Sequence, residues 1–225
     1  MPLLSVIVPV YNEKETIRGI LEKIESVPID KEIIVVDDAS CDGTDKILRD
    51  MQYKNLKVIH HPTNRGKGAA FLTGLSNATG EFVIIQDADL EYEPNDYLKM
   101  VKAIDENKAD IVLGARFLKG HIGLFAHRLG NRLLTGLLNL LFNTRLNDYA
   151  TCYKFARKKA WDALGLKASG FNMDAEIVCN AIKRHYRILE IPVSYYPRTY
   201  RQGKKIRWWD GLWTIFYMLK YRLTE

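Results

Sequence analysis

Apolar positions in the first half of the chain follow two alternating spacings. Continuous runs rich in β-branched residues, such as residues 4–10 and 32–37, are typical of strands buried on both faces of a sheet. Between them, apolar residues recur every three or four positions, the spacing of one helix face. Strands are therefore predicted at 4–10, 32–37, 56–60, 82–86 and 110–114, and helices at 13–24, 43–51, 68–77 and 94–107. Strands that alternate with helices predict an α/β fold with a mainly parallel sheet.

The second half of the chain follows a different pattern, with long helices at its start and end. The predicted elements are helices at 128–142, 174–183 and 208–223 and strands at 149–155 and 187–196. No internal repeat, low-complexity tract or linker rich in Pro, Gly or Ser divides the sequence. We therefore expect a single domain over residues 1–225.

Charge changes sign where the apolar pattern changes. Residues 1–115 contain 13 Lys and Arg but 20 Asp and Glu, whereas residues 116–225 contain 20 and 7. This division indicates a cation site in the first part and an anion or anionic surface as partner of the second, although a solvated basic face gives the same count. With 47% hydrophobic and 27% charged residues, the chain is expected to fold rather than remain disordered.

Cysteine usage and hydropathy predict the compartment. Cys41, Cys152 and Cys179 are scattered, without a CxxC pair or a histidine cluster, so neither a disulfide framework nor a zinc site is expected. The first residues lack the pattern of a signal peptide, and no uncharged stretch, the leucine-rich 133–144 included, reaches the roughly 18 apolar residues that span a membrane. We expect a cytoplasmic protein without a transmembrane helix.

Acidic residues follow the fourth predicted strand at close spacing. Asp87 and Asp89 stand two positions apart, and Glu91 continues the series. Hard cations such as Mg²⁺ and Mn²⁺ bind a few oxygens of this kind and take their remaining ligands from water and phosphates. Because ligands of parallel sheets bind at the carboxyl ends of the strands, a metal site is predicted here. The alternative is an acidic turn that caps the helix after Pro94.

Three other turns carry candidate ligands for a nucleotide. Asp37 ends the second strand, where a carboxylate binds a base or ribose in dinucleotide folds or else caps the following helix. Tyr11 and Glu13 follow the first strand, and either contact a base or only initiate a helix. Arg65 and Lys67 belong to a glycine-rich turn that opens a helix, so free N–H groups and two cations favour an anion there, unless the turn is merely solvated.

Taken together, these motifs resemble a known family. Segments SVIVPVYNE (5–13), VDDAS (36–40), NRGKG (64–68), DAD (87–89) and GAR (114–116) occur in the order found in family 2 inverting glycosyltransferases of the GT-A fold. More narrowly, the chain is similar to the dolichyl-phosphate mannose synthases and polyprenyl-phosphate glycosyltransferases. The resemblance covers nearly the whole chain. It implies a nucleotide-sugar and metal-binding half at 1–116 and an acceptor-binding half at 117–225.

The resemblance also implies roles for individual residues. Those for the nucleotide sugar are Pro9, Tyr11, Glu13, Asp37, Lys67, Asp87 and Ala88. Those for Mg²⁺ or Mn²⁺ are Asp87, Asp89 and Glu91. Candidates for the acceptor phosphate are Arg116, Arg128, Arg132, Arg198 and Lys205, and the expected catalytic residues are Asp89, Arg116 and Asp148. Departures from the family pattern are Glu91 in place of a frequent Gln, Cys152 in place of Gly, Tyr153 in place of Phe, and a missing Ser after Gly203.

The chemistry of the acceptor separates the functional hypotheses. A lipid monophosphate is already charged at neutral pH, since its second pKa is about 6, so it needs no strong base. A hydroxyl acceptor needs one, and Asp148 is the candidate. The favoured hypothesis is inverting transfer of mannose from GDP-mannose, or glucose from UDP-glucose, to a polyprenyl phosphate. A nucleic-acid-binding module fits the pI of about 9.1 but not the acidic motifs, and a nucleotidyltransferase does not fit the motif order.

The composition of the two long predicted helices, 128–142 and 208–223, indicates a surface that binds the lipid. Leucines between Arg128 and Arg145, and Trp and Tyr residues beside Lys220 and Arg222, are typical of helices that lie in a membrane interface. We expect peripheral attachment to a membrane surface. The alternative is that both helices belong to the core or to an oligomer interface.

Overall fold

A seven-stranded sheet forms the centre of the protein. The computed structural model describes residues 1–118, 125–170, 172–198 and 208–223. The strands are β1 (Leu4–Val10), β2 (Lys31–Asp37), β3 (Leu56–His60), β4 (Phe82–Ile85), β5 (Ile111–Ala115), β6 (Lys154–Arg157) and β7 (Ile188–Pro192). The helices are α1 (Ile17–Ser26), α2 (Thr44–Asp50), α3 (Lys67–Asn77), α4 (Tyr97–Asn107), α5 (Phe125–Phe142), α6 (Lys158–Ala163), α7 (Met173–Lys183) and α8 (Trp208–Leu223).

Strand order in the sheet is β3-β2-β1-β4-β6-β5-β7. Only β6 runs against its neighbours, pairing antiparallel with β4 and β5, while the other pairs are parallel. The predicted mainly parallel α/β sheet is therefore confirmed. Because β1, β2, β4 and β5 point the same way, the turns that follow them meet at one edge of the sheet.

The sheet is buried on both faces, as its continuous apolar runs predict. Every residue of β1 and β4 is buried. Helix α1 covers one face with Ile17, Ile20, Leu21 and Ile24, all fully buried at the predicted spacing. Burial of each such aliphatic side chain stabilises the folded state by about 1.5–3 kcal/mol. The core therefore stabilises the sheet from which the irregular turns at its edge extend.

Several element boundaries differ from those predicted, among them the strand at 187–196, which ends at Pro192. Helix α1 begins at Ile17 rather than near Glu13, because the Glu13 N–H donates to Thr44 Oγ1 (3.0 Å) in the neighbouring turn. The strand predicted at 149–155 is shorter and later, at Lys154–Arg157. The residues just before this strand form hydrogen bonds to groups outside the sheet. For example, the Cys152 N–H donates to the hydroxyl of Tyr92 (3.0 Å). Helix α6 was not predicted.

Helices α5 and α8 pack on each other at the end of the chain. Leu138 and Met218 are fully buried, and Arg222 Nε donates to the Leu141 carbonyl (2.8 Å). Other apolar side chains of the pair remain exposed at helical spacing: Leu129, Leu133 and Leu140 on α5, and Leu212, Phe216, Leu219 and Leu223 on α8. None of the helices within the described residues has the length and hydropathy of a membrane span.

Candidate active site

The turns after β1, β2, β4 and β5 enclose a cavity of about 420 Å³. Most of its polar side chains are acidic or basic. Its lining includes Pro9, Tyr11, Glu13, Asp38, Asn64, Lys67, Asp87, Ala88, Asp89, Glu91, Tyr92, Arg116, Cys152, Asp174, Tyr195 and Arg198. Residues that are far apart in the sequence thus form one site.

Among the residues that line the cavity, Asp87 is paired with Lys67. Lys67 Nζ lies 2.6 Å from Asp87 Oδ1. Burial alone lowers the pKa of Lys67, but the adjacent carboxylate raises that pKa well above its usual value. Burial raises the pKa of Asp87, yet Lys67 lowers it below its usual value overall. Both groups are therefore charged at neutral pH, which would suit Lys67 to an anion and Asp87 to a cation.

Asp89 faces the C-terminal part of the chain instead. Arg198 Nη2 lies 3.1 Å from Asp89 Oδ2, and the same guanidinium makes two bonds to Glu13, at 2.9 and 3.2 Å. Burial, with the negative charges of Asp87 and Glu91, raises the pKa of Asp89 to about 7 despite Arg198. This crowding of carboxylates marks the place in the cavity where additional positive charge is most stabilising.

Glu91 anchors the segment that follows β7. Its carboxylate accepts hydrogen bonds from the Tyr195 hydroxyl (2.8 Å) and from the Arg198 N–H (2.6 Å), and its carbonyl accepts one from the Tyr196 N–H (2.7 Å). The predicted role of Glu91 as a third metal ligand stays a prediction. Its contacts favour a role in holding residues 193–198 against the turn after β4.

Of the paired acids after β2, Asp38 rather than Asp37 lines the cavity. Asp38 accepts hydrogen bonds from the N–H groups of Arg65 (2.9 Å) and Gly66 (2.7 Å) and thereby shapes the glycine-rich turn. Asp37 turns towards Ser40 and His60. The nucleotide-binding role predicted for Asp37 is not tested, and this conformation favours a structural one.

The glycine-rich turn is packed against residues 168–169. Gly66 has a φ of 91°, in the left-handed region that favours glycine, and a Cβ at Gly68 would lie 2.8 Å from the Ser169 carbonyl carbon. The Ala69 N–H donates to the Ser169 carbonyl (3.0 Å). Close backbone contact at this turn carries Lys67 into the cavity.

Arg116 and Asp148 form a buried pair on the other side of the cavity. Asp148 has no exposed surface, and its carboxylate accepts bonds from Arg116 N (3.0 Å), Nε (2.8 Å) and Nη2 (2.7 Å) and from Asn131 Nδ2 (3.1 Å). Both carboxylate oxygens are thus doubly occupied, so none of the four acceptor positions is left for a substrate proton. The guanidinium also stacks on the Tyr195 ring, 5.3 Å from its centroid.

The remaining candidates for the acceptor phosphate lie elsewhere. Arg128 and Arg132 are on α5, outside the cavity wall, although Arg128 is one turn from Asn131 on the same helix. Arg198 contacts Glu13 after β1 and Asp89 after β4, which favours a role on that side of the cavity over the predicted one. Lys205 lies outside the described residues.

Sequence reasoning assigned no role to several cavity residues. Asp174, at the start of α7, pairs with Lys154, a lysine with no exposed surface. Tyr195 links Glu91 to Arg116 through its hydroxyl and its ring. The DAE triplet at 174–176 was a usable signal for Asp174. Nothing in the local pattern identifies Tyr195, because only the chain path after β7 brings it to the site.

Comparison with known proteins assigns a family to this arrangement. The profile of Glycosyl transferase family 2 matches residues 5–165, more than half of the chain. The chain belongs to Glycosyl transferase family 2. The matched segment contains the turns after β1, β2, β4 and β5, while Asp174, Tyr195 and Arg198 of the cavity lie beyond it. The resemblance inferred from the five motifs is confirmed.

Curated relatives include several transferases. The chain is 27% identical over 204 residues to the low-salt glycan biosynthesis hexosyltransferase Agl6 of Haloferax volcanii, covering 88% of this chain and 48% of that protein. It is 28% identical over 209 residues to dolichol-phosphate mannosyltransferase of Pyrococcus furiosus (89% and 58%), and 29% identical over 208 residues to undecaprenyl-phosphate 4-deoxy-4-formamido-L-arabinose transferase of Edwardsiella ictaluri (89% and 62%). The chain thus spans about half to three fifths of these relatives.

Solved structures confirm the GT-A fold. Glucosyl-3-phosphoglycerate synthase from Mycobacterium tuberculosis in complex with UDP superposes with a TM-score of 0.76 at 19% identity, over 98% of this chain and 80% of that one. The same enzyme has been crystallised with Mn²⁺ and with Mg²⁺ together with UDP. TarS of S. aureus in complex with UDP-GlcNAc gives a TM-score of 0.63 at 22% identity, over 99% and 68%.

The acids of the family 2 cavity fit a divalent cation. No group of three His, Cys, Asp or Glu side chains in the described part of the chain is arranged to hold an ion by itself. Mg²⁺ commonly takes only one or two carboxylates from a protein and completes its shell with water and substrate phosphates. Asp87 and Asp89 can supply those two, and the crowded negative charge at Asp89 suits a cation there.

Proposed function

We propose that the chain transfers a hexose from a nucleotide-diphosphate sugar to a polyprenyl phosphate, with inversion at the anomeric carbon. Mannose from GDP-mannose is the favoured donor and glucose from UDP-glucose the next, by likeness to the relatives. When bound, Mg²⁺ or Mn²⁺ neutralises the diphosphate and makes it a better leaving group. Asp87 and Asp89 are the residues that hold it, and Lys67 is placed to bind a phosphate oxygen.

The observation that carries this proposal is the pairing of Arg116 with Asp148. The only acid predicted as a base is fully buried and saturated by four donors, while the guanidinium it holds lines the cavity. A phosphate acceptor needs a fixed cation and no base, since it is already ionised at neutral pH. The proposal therefore assigns Asp148 to the positioning of Arg116.

A second candidate function rests on Asp174. This carboxylate lines the cavity and is 19% exposed, so it can reach a substrate, although it is paired with Lys154. A hydroxyl acceptor, such as that of a glycolipid or polysaccharide, would use Asp174 rather than Asp148 as the base. The two functions differ in the acceptor that they require.

The lipid is expected to reach the cavity along α5 and α8. The exposed apolar side chains of both helices recur at three- and four-residue spacing, with basic residues such as Arg132, Lys220 and Arg222 also at the surface. Helices of this composition bind in the interface of an anionic membrane. Peripheral attachment through α5 and α8 is part of the proposal.

The test of the proposed function compares a lipid acceptor that carries a phosphate with the same lipid as the uncharged alcohol. Purified protein with Mn²⁺ and either GDP-mannose or UDP-glucose is given a short polyprenyl phosphate or the same polyprenol. We expect transfer only to the phosphate. Transfer to the polyprenol or to a glycolipid, abolished by Asp174→Asn, would favour the second candidate. Absence of binding to any nucleotide sugar in the presence of divalent metal would refute both.

A further inference from the structure

Arg198 occupies an unusual place for a residue expected to bind an acceptor. Its guanidinium bridges Glu13, after β1, and Asp89, after β4, while its own N–H donates to Glu91. Three acids from two turns are therefore held together by one residue near the end of the chain. The guanidinium therefore lies beside the acids that follow β4, the predicted metal ligands.

The charges in this part of the cavity are unbalanced. Four carboxylates, those of Glu13, Asp87, Asp89 and Glu91, face two cations among the described lining residues on this side, Lys67 and Arg198. Lys67 is committed to Asp87, so Arg198 is the counter-ion of Asp89. A divalent cation bound between Asp87 and Asp89 would take over that function.

The hydrogen-bonding capacity of the Arg198 guanidinium is also incompletely satisfied. Its Nε is buried and has no hydrogen-bond acceptor within the part of the chain that the structure describes. A buried donor without a partner is destabilising, and a diphosphate oxygen in the cavity can supply the missing acceptor. Arg198 lines the same cavity as Lys67, so both cations have access to a diphosphate there.

We propose that Arg198 is a donor-side ligand that holds the place of the divalent cation at Asp89 and exchanges that carboxylate for the donor diphosphate when the cation binds. In the metal-free protein, the guanidinium keeps the acids of the two turns together. With the cation in place, Asp89 is neutralised by it, and the guanidinium is free to bind phosphate oxygens. The second half of the exchange rests on the proposed function, whereas the first half requires only the metal.

The exchange predicts effects of opposite sign for one substitution. Arg198→Gln removes the competitor at Asp89, so Mn²⁺ alone should bind about tenfold more tightly, a coupling of ordinary size between two sites. The same variant should bind GDP or UDP more weakly, also by about tenfold, when Mn²⁺ is saturating. A merely structural role of Arg198 would weaken both ligands.

Arg157→Gln is the matched control, because Arg157 also bridges two carboxylates, Glu81 and Asp105, away from the cavity. Mn²⁺ binding is measured by electron paramagnetic resonance and nucleotide binding by calorimetry. Arg157→Gln should change neither affinity. Unchanged or weaker Mn²⁺ binding by Arg198→Gln would overturn the proposal.

Two provisions keep the experiment decisive. If Arg198→Gln does not fold, Arg198→Lys retains the charge but lacks the planar five-donor fork that holds Glu13 and Asp89 together, and its Mn²⁺ affinity should still exceed that of the wild type. Equal or lower affinity would refute the exchange. Because the Mn²⁺ measurement uses no sugar and no lipid, its result is independent of whether the proposed transfer reaction is found.

Discussion

Single residues in this protein gain their meaning from their partners rather than from their chemical type. Asp148 is an aspartate in the second half of a chain of Glycosyl transferase family 2, which made it the candidate base. Its burial and its bonds to Arg116 and Asn131 make it a holder of a guanidinium instead. Glu91 likewise continues an acidic series but accepts hydrogen bonds from the segment after β7.

Asp148→Asn tests the positioning role directly. An amide presents one oxygen where the carboxylate presents two, so Arg116 loses part of its anchor and its buried charge is left poorly paired. We expect the free energy of unfolding to fall by about 3 kcal/mol and the acceptor KM to rise more than kcat falls. Urea denaturation and steady-state kinetics measure the two effects.

Asn131→Ala is the graded control for this prediction, since it removes one of the four bonds to Asp148. It should shift stability and acceptor KM in the same direction by less. A fall in kcat alone, with KM and stability unchanged in Asp148→Asn, would restore Asp148 as a base.

At the scale of elements, close backbone packing places the glycine-rich turn before α3. Helix α3 begins at Lys67 because the preceding turn is held by Asp38 and by residues 168–169. A side chain at Gly68 would collide with the carbonyl groups of that segment. The apolar pattern predicted α3 nearly to the residue, but it contained no information on the segment against which its first turn packs.

A pair of identical substitutions measures that contact. Gly68→Ala should lower the free energy of unfolding by about 1–3 kcal/mol, because backbone atoms must shift to admit the methyl group. Gly136→Ala, in α5, meets nothing within 4 Å and should raise stability by up to about 1 kcal/mol through its better helix propensity. Urea denaturation measures the free energy of unfolding of both variants. Changes of the same sign in the two variants would contradict the close contact between Gly68 and residues 168–169.

For the molecule as a whole, the acidic first half and the basic second half of the chain both contribute to one cavity. The turns after β1, β2 and β4 come from the acidic first half, and Arg116 begins the basic second half. Helices α5 and α8 then present apolar side chains outward beside basic ones. Such a division suits a donor that arrives with a cation and an acceptor that is an anion anchored in a lipid surface.

Vesicle binding tests the outer surface of α5 and α8. The chain should bind vesicles that contain anionic lipid and should be released by salt, since each basic residue near the surface contributes about 1 kcal/mol. Phe216 is 54% exposed, and Phe216→Gln should weaken binding roughly tenfold by removing an apolar side chain from the interface.

Leu98→Gln, on α4, is the control, since Leu98 is also exposed but lies on a helix away from the pair. It should leave vesicle binding unchanged in a sedimentation assay. Equal losses for both variants, or no binding by the wild type, would argue that α5 and α8 meet a protein instead of a membrane.

The sequence by itself determined the layers of this protein and the places of its acids. Hydrophobic spacing is a local property, so β1, β2, β4 and α3 were predicted to within a residue or two, and the strand ends located Asp87, Asp89 and Arg116 at one edge of the sheet. Only the tertiary structure decided how those charges are paired. Asp89 meets Arg198 across 109 positions of the chain, and no local pattern encodes a contact that depends on where β7 leads.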